Sequence, residues 1–175
     1  MMPSPSHLQH CLLRPDGPVD DEPLTAPVVC PCGNNQFALL FPGATREVDG
    51  ESYPVVARID GKFFLVLVAH CTQCEECHLL LDKDLHGWDG YVCRDETQAA
   101  LPRPPLVPWH CLTCGALAHR MSVTIYTEGP EDFIAESDGD LDPDSWPDAF
   151  GWFGLDTECA ACGRKTESLI DYETM

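Results

Sequence analysis

The chain has 175 residues, 22% charged and 44% hydrophobic, a globular composition rather than a disordered one. Its 29 acidic residues against 10 basic ones leave a formal net charge of -19, which argues against a surface built to neutralise nucleic-acid phosphates. No run approaches the roughly 20 apolar residues needed to cross a bilayer. No basic segment followed by an apolar one marks a signal peptide, so no membrane partner and a cytoplasmic location are expected.

Residues 1–27 are rich in proline and polar residues with little apolar periodicity, and read as a disordered, flexible tail. Cys11 stands alone in it and is expected to be no ligand. Beyond the tail the pattern is mostly β. Strands are expected at residues 37–41 (FALLF), 55–59 (VVARI), 62–69 (KFFLVLVA), 77–82 (CHLLLD), 121–126 (MSVTIY), 150–155 (FGWFGL) and 167–172 (ESLIDY). Asp60-Gly61 joins the second and third of these and favours a two-residue hairpin turn with positive φ. Residues 86–91 (HGWDGY) read as turns, and no window longer than about ten residues carries a clear helical period.

Residues 98–109 include LPRPPLVPW, whose prolines disfavour helix and central strand and predict an extended Pro-rich connector. The connector divides the chain into two zinc-ribbon-like β units, 28–97 and 110–175, the second carrying an acidic insertion at 128–148. The units follow one plan. Each runs from a cysteine pair through a strand to a second pair and a Leu-x-Asp, at Leu80–Asp82 and Leu169–Asp171.

Eight of the eleven cysteines form four close pairs: Cys30/Cys32, Cys71/Cys74, Cys111/Cys114 and Cys159/Cys162. A turn that aims two thiolates at one point, used twice, completes a tetrahedral cage, so two zinc ions are expected, one in each half. Gly33, Gly115 and Gly163 directly follow three of the pairs. Disulfides or iron–sulfur clusters are the alternative. Cys77 makes a second CxxC with Cys74, but the repeat sets Lys165 at its place, so it reads as a spare, buried strand cysteine. Cys93 reads as a core cysteine. His70 and His110 each precede a pair and are weaker substitutes for a ligand.

Catalytic residues are not expected. No HExxH, GxSxG or phosphate-cradling loop is present, and no His-x-Glu accompanies a Pro-Cys-x-x-Cys. A four-cysteine cage also leaves no open metal position. His78, Asp82, Asp84 and His86 lie close in sequence and read as strand-end residues. Asp138, Asp140 and Asp142 have the spacing of a calcium loop, but Pro143 and Ala149 stand where its glycine and bidentate glutamate belong. The 128–148 segment therefore reads as a solvated acidic insertion, with Phe133, Ile134, Trp146 and Phe150 as its anchors.

The succession CxCG, hairpin, CxxC, Leu-x-Asp and HGWDG between Cys30 and Cys93 resembles small bacterial zinc-ribbon proteins of uncharacterised function. That resemblance implies metal binding and a β-rich fold and assigns no catalytic residue. The expectation is a non-enzymatic zinc protein acting as an acidic protein-interaction module that binds or neutralises a basic protein. The alternative is a nucleic-acid-associated zinc ribbon in transcription.

Overall fold

A computed structural model describes residues 4–12 and 23–174. The described strands are β1 (Leu24–Pro27), β2 (Phe37–Phe41), β3 (Thr45–Val48), β4 (Glu51–Pro54), β5 (Ala57–Ile59) and β6 (Lys62–Phe64). They continue with β7 (Val66–Cys71), β8 (Cys77–Asp82), β9 (Val107–Pro108), β10 (Ala118–Tyr126), β11 (Trp152–Cys159) and β12 (Lys165–Glu173). The fold is mostly β with two cysteine clusters. The main sheet is antiparallel and runs β12-β11-β10-β2-β7-β8. Alternation in FALLF and HRMSVTIY gives β2 and β10 one buried face each.

The two halves meet where β2 pairs β10, through Phe37↔His119 and Ala38↔Ala118. Beyond that contact β1 pairs residues 122–125 of β10, and β9 pairs the end of β2. Phe37 lies opposite Cys71, and His119 lies opposite Cys159. Phe37 and His119 are therefore counterparts in the repeat, and a pseudo-two-fold axis passes through their pair. Cys77 faces His70 as Lys165 faces Glu158, which keeps the two halves in register. Asp82 pairs Val66 and Asp171 pairs Gly154. Irregular pairing inside both ladders accommodates the unequal spacing to these aspartates, and in β12 the positive φ of Ser168 marks the spot.

One core serves both halves, with Phe37, Leu39, Leu67 and Leu81 packed into the same cluster as Val123, Ile125, Phe153 and Leu155. Two such short units bury too little surface separately, and sharing a sheet and a core removes that weakness. The connector takes part as well: after α1 (Glu96–Ala99), capped by Asp95, the chain extends to β9, and Trp109 is buried with its backbone N–H donated to Leu39 O at 2.8 Å.

Several local expectations change. The 62–69 run breaks at Leu65: β6 pairs β5 across Asp60-Gly61, both at positive φ, while β7 enters the main sheet. A further hairpin, β3–β4, turns on Asp49-Gly50, which repeats the same dipeptide signal. The acidic insertion contains α2 (Pro130–Glu136) and a 3₁₀ turn at Pro143–Asp148. Gly-Pro-Glu-Asp, with proline in the first turn followed by acids, was its start signal. Phe133 and Phe150 are buried, whereas Ile134 is exposed.

Of the expected 1–27 tail, residues 1–3 and 13–22 lie outside the described residues. The remainder packs on the sheet, which narrows that expectation. A 3₁₀ turn at Ser6–Leu8 buries Leu8, Cys11 is 1% exposed, and β1 buries Leu24 and Ala26 on one face. The apolar alternation Leu24, Ala26, Val28 drives this pairing despite Pro27. No described helix is long and apolar enough to cross a membrane.

Candidate metal centres

Each cysteine pair sits on a tight turn that a strand feeds or leaves. In three of them the backbone bonds are the same. Cys71 N–H donates to Glu76 O and Glu75 N–H to Cys71 O; Cys111 and Gly115, then Cys159 and Gly163, repeat the pattern. Cys30-Pro-Cys32 is one residue shorter, and Gly33 N–H donates to Cys30 O at 2.8 Å. The residue after each pair has positive φ: Gly33 at 88°, Gly115 at 73°, Gly163 at 74° and Glu75 at 62°. Glu75 is the exception in kind, because a side chain there strains what glycine does freely.

These turns gather the sulfurs into two groups, Cys30/Cys32/Cys71/Cys74 and Cys111/Cys114/Cys159/Cys162, each with all four within 4.8 Å of one another. Cys30 Sγ lies 3.4 Å from Cys74 Sγ, and Cys32 Sγ lies 3.7 Å from Cys71 Sγ. In the second group Cys111–Cys162 and Cys114–Cys159 are both 3.6 Å. A tetrahedron with metal–sulfur bonds of about 2.3 Å has edges of about 3.8 Å, whereas a disulfide needs about 2.05 Å. All eleven cysteines are free thiols. The donor set therefore fits two tetrathiolate metal sites. In each, two sulfurs are buried and two exposed, so the cages lie at the surface end of the sheet.

The thiols of each cage titrate against one another. Burial pushes Cys71 up, but the Cys74 N–H, the Asn34 amide at 3.2 Å and the Gln73 N–H outweigh it and bring the thiol down to about 6. Burial and the neighbouring thiols raise Cys30 to about 12. In the second cage burial likewise opposes the backbone donors of Cys114 and Thr113, which bring Cys111 down to about 6. Against the lowering pull of the Ala116 N–H, the Cys162 thiol and burial carry Cys114 to about 12. A divalent cation held by the four sulfurs would favour their thiolate forms.

The surroundings differ. His78, 1% exposed, places Nε2 3.3 Å from Cys30 Sγ and Nδ1 3.2 Å from His10 Nε2. Glu76 Oε2 is 4.0 Å from Cys30 Sγ. Burial lowers the affinity of His78 for a second proton, opposed by Glu76. At the second cage Arg164 donates to Glu51 at 2.6 and 2.8 Å and to Thr113 Oγ1 at 3.0 Å, tying the Cys159 turn to β4 of the other half. That guanidinium, with the Tyr53 hydroxyl, holds the Glu51 carboxyl low.

Cys77 and Cys93 belong to neither cage, but both are exposed rather than buried as expected: Cys77 lies at the start of β8 and Cys93 follows the turn that ends at Val92. His70 pairs Cys77 across the β7–β8 ladder, and His110 Nδ1 faces Gly115 O at 3.0 Å. The other polar residues divide. Asp82 and Asp84 are buried under Arg103, at 2.6 and 3.4 Å. His86 accepts the Asp82 N–H and stacks on His7 at 3.6 Å between ring centroids. Asn34, Glu76 and His10 lie beside the first cage without any local sequence signal. Their placement follows from strand pairing over long separations.

No family model, no curated protein and no solved structure matches the chain.

Proposed function

We propose that both cages hold structural zinc and that the protein is a non-enzymatic, acidic protein-interaction module whose partner is a basic protein. Zinc suits four thiolates in a closed tetrahedron, a site that leaves no position for substrate. Cys30, Cys32, Cys71 and Cys74 would hold one ion, and Cys111, Cys114, Cys159 and Cys162 the other. Each ion joins two chain segments far apart in sequence and so fixes the ends of β2, β7, β10 and β11.

The observation that carries the partner reading is where the basic side chains go. Of the nine lysines and arginines among the described residues, six, Lys83, Arg94, Arg103, Arg120, Arg164 and Lys165, are paired with the chain's own carboxylates. A net charge of -19 is left to steer positively charged surfaces toward the molecule. Arg120, Arg164 and Lys165, the basic residues nearest the second cage, are among those engaged, which weighs against the alternative of a nucleic-acid-associated ribbon.

Titrating the purified protein against a lysine-rich polypeptide, and separately against random-sequence duplex and single-stranded oligonucleotides, tests this reading. Binding to the polypeptide should weaken steeply as salt rises, with no mobility shift of either oligonucleotide at physiological salt. Micromolar, salt-sensitive retention of an oligonucleotide would replace the interaction module by the transcription-type alternative.

A further inference from the structure

We propose that His10, Cys11 and His78 form a third metal site, of one thiolate and two imidazoles, that takes zinc beside the first cage. One donor atom from each of His10, Cys11 and His78 lies within 4.8 Å of the other two. His10 Nε2 and His78 Nδ1 are 3.2 Å apart. A tetrahedron with metal–nitrogen bonds of about 2.0 Å has edges of about 3.3 Å, so the imidazoles stand where two zinc ligands stand. Cys11 and His78 are each 1% exposed, whereas His10 is exposed. The site is thus a buried pair of donors closed by one surface imidazole.

Backbone bonds hold it in place. Cys11 N–H donates to Leu8 O at 3.1 Å, ending the 3₁₀ turn, and Val29 N–H donates to Cys11 O at 2.8 Å. Leu12 bridges Val28 and Cys11 lies opposite Val29, so Cys11 is fixed beside the residue that precedes Cys30. His78 is the shared element. With its proton on Nε2, directed at Cys30 Sγ, Nδ1 keeps its lone pair and aims it at His10. A second triad, Cys30, Glu76 and His78, also gathers there, but it spends a sulfur the first cage needs. The His10 set uses no cage ligand.

Binding breaks the His10–His78 hydrogen bond, releases the Cys11 thiol proton to solvent, and forms one metal–sulfur and two metal–nitrogen bonds. Three protein ligands leave one position for water, so this ion is held less tightly than the caged ones. None of the three donors is a cage cysteine, so the third ion and the caged ions can be lost separately.

Native mass spectrometry of the full chain titrated with zinc counts bound ions, and cobalt substitution reports thiolate content by its charge-transfer bands. The expected result is saturation at three ions. His10→Ala and Cys11→Ala should each saturate at two, with the tetrathiolate cobalt bands undiminished. Because His10 is exposed, its variant does not disturb the core and decides the matter if the Cys11 variant folds poorly. Wild-type saturation at two ions, or a third ion retained by His10→Ala, overturns the proposal. Loss of the tetrathiolate bands in the wild type would instead overturn the cages.

Discussion

The two halves build the same cage on the same strand order and then finish it with different parts. The first half covers its sheet with the Ser6–Leu8 turn, shields its cage with His78 and Asn34, and buries Asp82 under Arg103 from the connector. The second half leans on its helical insertion and on Glu51 lent by the other half, and its Asp171 stays exposed, accepting from the Trp152 indole. At the join, Phe37 is fully buried without a polar atom, while its counterpart His119 is equally buried and keeps Nε2 without a partner among the described residues. The lesson is that cysteine turns and strand order set the unit, while its stability is distributed over borrowed side chains that differ from half to half.

The largest perturbation of that comparison is removal of one metal. A structural zinc contributes about 10–16 kcal/mol in small zinc peptides. Cys71→Ser and Cys159→Ser should each lose one equivalent by elemental analysis. Because the core is shared, each variant should still melt in a single transition at lower temperature; two separated transitions would show that the halves fold independently.

Acid should act mainly on the first half. Burial, the largest influence, holds His7 down to about 4 and, with His7 beside it, His86 down to about 3. Both are neutral when folded, and the unfolded chain takes up protons near pH 6.5. Stability is therefore full above pH 6.5 and falls as pH drops toward those lowered values, by something on the order of 2 kcal/mol per imidazole by pH 5. Denaturant midpoints between pH 7 and 5 measure this, and replacing both histidines with phenylalanine should flatten the slope.

Arg103→Ala should cost about 3 kcal/mol, since it strands Asp82 and weakens the neutralisation of Asp84. The matching change Asp171→Ala should cost less than about 1 kcal/mol, because that carboxylate is exposed. Equal urea midpoints for the two variants would erase this distinction. The smallest effect is a gain. Glu75→Gly gives the Cys71 turn the residue that the other three turns carry, and should stabilise by up to about 1 kcal/mol in thermal melts at constant zinc.

Much of the cage was legible because it depends on local turns. Cys-x-x-Cys with a following glycine specifies sulfur direction over a few residues, and β2 and β8 match the apolar runs that announced them. What stayed hidden depends on distant pairing. Nothing local says that Leu24 will meet Ile125, or that His78 will reach both Cys30 and His10. The fusion of two expected units into one sheet rests on two residue pairs of β2 and β10, too few for a periodicity to reveal. The β3–β4 hairpin was missed for another reason. TREV is exposed and ESYP is half-buried up to its buried Pro54, with no apolar alternation in either, so only Asp49-Gly50 marked them.

Phe37 meeting His119 has a consequence for the surfaces of the chain. A contact in which a position faces its own counterpart across a two-fold axis is the signature of an isologous dimer. The single chain has the form of such a homodimer, yet its halves are not identical: one carries two hairpins, the other the helix Pro130–Glu136, and the axis pair is phenylalanine and histidine. A symmetric dimer presents every surface twice, whereas this chain has two unlike ends and can address each to a different neighbour.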